Sequence, residues 1–123
     1  MVSLHVPYYD LVSVQEAVRA GAWVLANKRA WHNATNLDWD SKTIEAFVCC
    51  LTARDFYKPY PAQGIFDGRE TADADGYRMR FDEELLVRTR DRNCCEFWIK
   101  VCLLKKGKRN SVAVGTFHLD GQP

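Results

Sequence analysis

The chain has 123 residues, of which 47% are hydrophobic and 27% are charged, and its formal net charge is +1. These values are typical of one soluble globular domain with a modest core. No apolar run approaches the length needed to cross a bilayer, and the N-terminus lacks the basic start and apolar segment of a signal peptide. The composition therefore argues against a membrane protein, and we expect a cytoplasmic location.

The first predicted element is a helix in the stretch YDLVSVQEAVRAGA. Asp10 is a suitable N-cap and Gly21 a suitable stop. The apolar residues between them recur at helical spacing. They are Leu11, Val14, Ala17 and Val18.

Two further helices are predicted before residue 60. KRAWHNATNL reads as a shorter second helix, and DWDSKTIEAFVCCL as a third, capped by Asp40 or Ser41. In TARDF, Thr52 and Asp55 have the spacing of a capping box, which predicts one more helical turn. Prolines forbid further helix, so residues 59–75 are predicted to form a loop.

After the loop, the apolar pattern changes from helical to alternating. GYRMRF places Tyr77, Met79 and Phe81 on one face and Arg78 and Arg80 on the other. LLVRTR is a second strand candidate, and CEFWIKVCLL, the most apolar run, is predicted as the central strand. KKGKRN then forms a turn, and SVAVGTFHLD returns as the last strand of a hairpin.

This order of elements predicts an α+β fold in which N-terminal helices pack on one face of an antiparallel β-sheet. We expect a single domain over residues 1–123. Its helical part covers about residues 8–58, the loop 59–75 and the β-sheet part 76–120.

The five cysteines do not suggest a metal site or a disulfide framework. Two adjacent pairs do not match CxxC spacing, and an odd count argues against a secreted disulfide scaffold. We therefore expect reduced, mostly buried thiols and no cofactor.

The β-sheet half is basic and rich in aromatic rings. Between residues 78 and 109 there are ten basic and five acidic residues, a local net charge of +5. A solvated strand face with a lysine-rich hairpin tip accounts for such a run as well. Rings alternating with cations suit single-stranded RNA, because bases stack on rings while Lys and Arg bind phosphates. Metal-free RNA cleavage also needs a base, an acid and cations, and His118 has the ordinary pKa that suits proton transfer.

Two stretches resemble a known family. In AGAWVLANKRAWHNATNLDWD, a helix ends in AG and is followed by the pattern A-x-x-N-A-x-x-L-x-x-D. In ARDFYK, residues 55–58 match the DFYK that ends the family's next helix, at the same distance. Both are similar to the MqsR (motility quorum-sensing regulator) toxins of bacterial toxin–antitoxin pairs. Later strands match loosely: GYR (residues 76–78), WIK (98–100) and TFH (116–118) resemble the family's VYR, YLK and SFK.

The resemblance implies a RelE-like toxin fold and metal-independent cleavage of mRNA, held in check by a cognate antitoxin protein. The family's functional lysine falls on Lys58, its strand tyrosine on Trp98 and its late lysine on His118. The family's glutamine has no counterpart here, so the chain would be a divergent member.

These arguments together give the candidate site. The expected catalytic residues are Lys58, His118 and Tyr77. The expected RNA-binding residues are Tyr57, Arg78, Arg80, Trp98 and Lys100. Two alternatives are a toxin-like protein that binds RNA without cutting it and a protein-binding module whose sheet edge receives an antitoxin segment. Each of three site residues also has a purely structural explanation. Lys58 could be a favourable cation near a helix C-terminus, Trp98 a core residue of the central strand, and His118 a strand histidine with a satisfied hydrogen bond.

Overall fold

A computed structural model describes residues 6–68 and 71–119 of the chain. Its helices are α1 (Leu11–Arg19), α2 (Lys28–Leu37) and α3 (Ser41–Cys50), followed by a 3-10 turn (Ala53–Asp55). Its strands are β1 (Trp23–Leu25), β2 (Phe56–Gln63), β3 (Ala72–Asp82), β4 (Val87–Arg88), β5 (Glu96–Lys106) and β6 (Arg109–Leu119). Among the described residues, no helix is both long enough and apolar enough to span a bilayer.

The helices begin at side-chain caps, as the sequence predicted. Asp10 accepts a hydrogen bond from Ser13 N at the start of α1, and Asp40, rather than Ser41, caps α3 by accepting from Thr43 N. After α1 the chain turns at Gly21, where φ is +75° and a side chain would be strained.

The predicted turn at TARDF is confirmed as a 3-10 turn. Thr52 N donates to the Asp55 carboxylate at 2.7 Å, which is the capping-box contact. Asp55 also forms an ion pair with Arg88, so it ties this turn to β4.

The sheet has the order β1-β6-β5-β3-β2, with β4 paired to β3, and β5 is central as predicted. The α+β architecture is confirmed, but the sheet is mixed because β1 pairs with β6 in parallel. β1 was not predicted, since three residues are too few to show an alternating pattern. The predicted strand LLVRTR is reduced to Val87–Arg88.

The prediction of a loop over residues 59–75 is wrong at both of its ends. Phe56–Gln63 forms β2, and β3 already begins at Ala72. The helical part therefore ends at Asp55 rather than at residue 58. Prolines are tolerated in β2 because it is an edge strand, which pairs only with β3 among the described residues.

The main core lies between the helices and one face of the sheet. Trp39 is 6% exposed, and its Nε1 donates to Glu83 Oε2 at 2.7 Å. Its ring lies 4.8–5.8 Å from four phenylalanine rings. They are Phe47, Phe81, Phe97 and Phe117.

The pattern that carried the family resemblance has clear structural roles. Ala30 and Ala34 are buried where α2 packs on β6, and Asn33 Oδ1 accepts a hydrogen bond from Phe117 N at 3.1 Å. Asp40 caps α3. These residues therefore dock α2 on the last strand and start the following helix.

All five cysteines are free thiols. The expectation that they are mostly buried is wrong, because only Cys102 is buried and Cys95 is exposed.

Candidate functional site

The sheet face opposite the main core, called here the open face, carries two rows of side chains that run across the strands. The register pairs Arg78 with Trp98 and Trp98 with His118 in the first row. The second row consists of Gly76, Lys100 and Thr116. Neighbours along a strand alternate between faces, and the residues between these rows, such as Phe117, are buried in the main core. The rows therefore face away from the main core.

Two β-bulges lie beside these rows. In β2, Phe56 pairs with Tyr77 and Lys58 with Gly76, so Tyr57 is an extra residue. In β6, the pairing skips Gly115 in the same way. A bulge changes the direction of neighbouring side chains. As a result Phe56 packs on a core ring, while Tyr57 and Lys58 both reach the open face.

The open face contains a pocket of about 300 Å³, called here the site pocket. It is lined by Tyr57, Lys58, Tyr60, Gly76, Trp98, Ile99, Lys100, Thr116 and His118. None of these described lining residues carries a carboxylate, whereas two are lysines and one is a histidine. An anion with apolar or aromatic groups beside its charge is the ligand that this lining suits.

The two lysines of the site pocket lie against one aromatic ring. Lys58 Nζ is 4.9 Å and Lys100 Nζ 4.2 Å from the centre of the Tyr60 ring. Lys100 Nζ also donates to Gln63 Oε1 at 3.2 Å. Burial, and then the positive charges of Arg29 and Lys58, lower the pKa of Lys100. The two partners of Lys100, the Gln63 amide and the Tyr60 ring, are neutral, and the charges near it are positive. An anion bound beside the Lys100 ammonium would therefore be stabilised.

His118 is held in a defined orientation at the other side of the pocket. Its ring is nearly parallel to that of Trp98, with centroids 6.4 Å apart and an interplanar angle of 11°. Nδ1 lies 2.9 Å from the carbonyl oxygen of Leu119. A carbonyl only accepts, so Nδ1 carries the proton and Nε2 is the atom left for proton transfer.

The predicted RNA-binding residues differ in their positions. Tyr57 packs edge-on against Trp98, with ring centroids 4.4 Å apart, and the Arg78 guanidinium lies 5.2 Å and 5.3 Å from these two rings. Trp98 is therefore on the open face and not in the core. Arg80 does not line the site pocket, and its Nη1 donates to Cys94 O at 2.6 Å, which ties it to the turn before β5.

The prediction that Tyr77 is catalytic is wrong. Its side chain is 1% exposed and belongs to the main core, because the strand alternation turns it toward the helices. Burial raises its pKa far above the ordinary value. A buried, neutral phenol on the opposite face of the sheet cannot reach a ligand in the site pocket.

The sequence interpretation missed Tyr60, whose ring covers Gly76. It was assigned to the loop because prolines flank it on both sides. If FYKPYPAQ (residues 56–63) is interpreted as an edge strand, in which prolines are tolerated, its aromatic residues include Tyr60, and this would have made Tyr60 a candidate for the site.

No protein-family model matches this chain, and a comparison with curated proteins finds none that matches it. The resemblance to the MqsR toxins therefore stays a prediction. The function has to be argued from the geometry of the site pocket.

Proposed function

We propose that this protein is a metal-independent endoribonuclease that cleaves single-stranded mRNA and is neutralised by an antitoxin protein. The observation that carries the proposal is that Lys58 and His118, 60 residues apart in sequence, line one pocket together with Lys100 and stacking rings. A RelE-like form of the α+β fold and a cytoplasmic location are part of the same proposal.

The reaction that this pocket suits is an internal transesterification of RNA. A general base takes the proton of a ribose 2′-hydroxyl, and the oxygen attacks the adjacent phosphorus. The bond from phosphorus to the 5′-oxygen of the next nucleotide breaks, and a general acid protonates that oxygen. The products are a 2′,3′-cyclic phosphate and a 5′-hydroxyl, and the reaction needs no metal or redox partner.

We assign proton transfer to His118 Nε2. In the neutral ring, Nε2 accepts the 2′-hydroxyl proton, and in the charged ring it donates one to the leaving oxygen. Lys58 and Lys100 then stabilise the additional negative charge on the phosphoryl oxygens in the transition state. Burial lowers the pKa of Lys100, so its ammonium gives up a proton more readily than a fully solvated lysine does.

The aromatic part of the site favours single-stranded RNA. Tyr57 is 39% exposed beside the pocket, so an unpaired base can contact its ring. Arg78 lies at the same edge and supplies a cation for the sugar–phosphate backbone. A duplex hides its base faces in the stack and cannot use these contacts.

A second candidate is an RNA-binding protein of the same kind that does not cut. It is favoured by one observation: of the three predicted catalytic groups, Tyr77 lies in the core, so the site has one fewer proton-transfer group than expected. Binding alone needs only the cations and rings that line the pocket.

The test is incubation of the purified protein with a long single-stranded RNA in EDTA at pH 6 to 8. We expect cleavage with cyclic-phosphate ends, a loss of at least about 100-fold in rate for His118→Gln, and a smaller loss for Lys58→Gln. Lys42→Gln, an exposed lysine of α3, is the matched control. Tight binding of RNA that remains intact would favour the second candidate. If the protein neither binds nor cleaves the RNA, both candidates are overturned.

The proposal that an antitoxin neutralises this protein depends on the family resemblance and needs a separate test. Expression of the wild-type chain in a bacterium should arrest growth, and the His118→Gln protein should not. Co-expression with the protein encoded by the adjacent gene should restore growth. Equal growth with the wild-type and His118→Gln chains would contradict the toxin assignment.

A further inference from the structure

A second pocket, of about 290 Å³, adjoins the site pocket. It is lined by Asn27, Arg29, Gln63, Gly64, Ile65, Asp67, Lys100, Gly115 and Thr116. Lys100 and Thr116 belong to both linings, so the two pockets meet at the second row of the open face. A strand of RNA that leaves one pocket can enter the other without leaving the protein surface.

Most polar groups of the second pocket already have protein partners. Asn27 Nδ2 donates to Ile65 O at 2.6 Å and to Gly115 O at 2.8 Å, so this amide shapes the pocket wall at the β6 bulge. Asp67 accepts a hydrogen bond from Lys28 N. The guanidinium of Arg29, by contrast, has no hydrogen bond or ion pair to any part of the chain that the structure describes.

The position of Arg29 does not serve the helix that carries it. It lies in the first turn of α2, which contains no acidic residue. Backbone N–H groups at a helix N-terminus favour negative charge, so a cation there is unfavourable. Arg29 is also close enough to Lys100 for its charge to contribute to the lowered pKa of that lysine. Arg29 and Lys58 thus each repel Lys100 along the two joined pockets, and bound anions would relieve that repulsion.

We propose that the second pocket binds the phosphate that neighbours the scissile one, with Arg29 as its cation and Lys100 shared between the two phosphates. This inference rests on the proposed function, since it extends the same RNA site. The substrate is then a single strand of at least three nucleotides, and an isolated phosphodiester is a poor ligand.

The experiment measures binding of RNA that cannot be cleaved. A 5′-fluorescein 2′-O-methyl hexanucleotide of mixed base sequence is titrated by anisotropy at several salt concentrations. A 2′-O-methyl dinucleoside monophosphate, which has one phosphate, is titrated by nuclear magnetic resonance. The proteins are the wild type, Arg29→Gln, Lys58→Gln and the control Lys42→Gln. Lys42 is matched to Arg29 because both are the second residue of their helix, and it lines neither pocket.

For Arg29→Gln we expect about fivefold weaker binding of the hexanucleotide. The slope of the logarithm of the binding constant against the logarithm of the salt concentration should be smaller in magnitude by about 0.7, because one phosphate contact on a single strand is lost. Binding of the dinucleoside monophosphate should not change, and Lys42→Gln should bind both probes as the wild type does. If Arg29→Gln binds the hexanucleotide as the wild type does while Lys58→Gln binds it more weakly, the proposal that the second pocket binds a phosphate is overturned. The proposed function is then unaffected. An equal loss for both probes would place Arg29 in the site pocket and would also overturn the proposal for the second pocket. If the wild type binds neither probe, the proposed function fails and this inference fails with it.

Discussion

Replacement of Gly76 by alanine tests the architecture of the site pocket directly. Gly76 lies in the second row, beneath the ring of Tyr60. A Cβ atom placed on Gly76 would be 2.5 Å from Tyr60 Cε2 and 3.2 Å from Cδ2. Carbon atoms in van der Waals contact are about 3.5 Å apart, so the ring has to recede by about 1 Å. Tyr60 is half-buried at the sheet edge, and we expect the ring to tilt toward solvent.

The cost of the change comes from three contributions. Forcing an extra carbon into a packed position costs about 1–3 kcal/mol. Moving the ring also weakens its contacts with the ammonium groups of Lys58 and Lys100, each worth about 0.5–1 kcal/mol at an exposed site. Against this, alanine is favoured over glycine in a strand by about 0.5–1 kcal/mol. We expect Gly76→Ala to lower the free energy of unfolding by about 1–3 kcal/mol.

A double-mutant cycle isolates the contact with Tyr60. The free energy of unfolding is measured by urea denaturation for the wild type, Gly76→Ala, Tyr60→Ala and the double variant. Without the ring, the new methyl group has room, so Gly76→Ala in the Tyr60→Ala background should be neutral or stabilising by up to about 1 kcal/mol. RNA binding, measured on the same four proteins, should weaken in Gly76→Ala because the displaced ring changes the pocket. An equal stability loss in both backgrounds would refute the reasoning.

Three further predictions concern the core and the buried charges. Trp39→Ala removes the ring at the centre of the aromatic core, and urea denaturation should show a loss of about 3–5 kcal/mol; a loss below about 1 kcal/mol would contradict that role. Burial raises the pKa of Asp75 above its ordinary 3.8, so the folded chain binds more protons and stability falls as pH rises above that value. Asp75→Asn should abolish this fall in the free energy of unfolding, measured by urea denaturation from pH 3.5 to 7. An unchanged pH dependence would contradict the assignment of the effect to Asp75. The lowered pKa of Lys100 means that its charge opposes folding below that pKa, and that stability rises as pH climbs from there toward 10.5. At pH 7, Lys100→Gln should therefore be no less stable than the wild type while binding RNA at least tenfold more weakly, and unaltered binding would rule it out as a ligand contact.

The helical half of the fold was largely predictable because its signals are local. A cap acts on backbone groups three residues away, so Asp10 and Asp40 could be identified from their neighbours alone. The apolar spacing of α1 and α3 likewise lies within one element. Among the long strands, β3 was recognisable from alternation, β5 from its apolar run and β6 from the turn that precedes it.

The strands that the sequence did not reveal depend on their partners. β1 has three residues that pair with β6, and the residues on either side, Ala22 through its O and Ala26 through its N, also bond to β6. β2 contains two prolines and was predicted as a loop, yet an edge strand can accept them. Whether a proline lies at an edge is decided by the neighbouring strands and cannot be read from the residue itself.

The sequence by itself determined which residues could do chemistry: a histidine, lysines and rings in a basic, aromatic half. Only the tertiary structure decided which of them meet. One side chain, Tyr77, turned inward because its strand alternates with the core, while Lys58 reached the open face through a bulge. A change of one residue in register reverses the face on which a side chain lies, and register is set by pairing between strands that are distant in sequence. The local sequence therefore determines which chemical groups are available, whereas the pairing of the whole sheet determines which of them meet in one pocket.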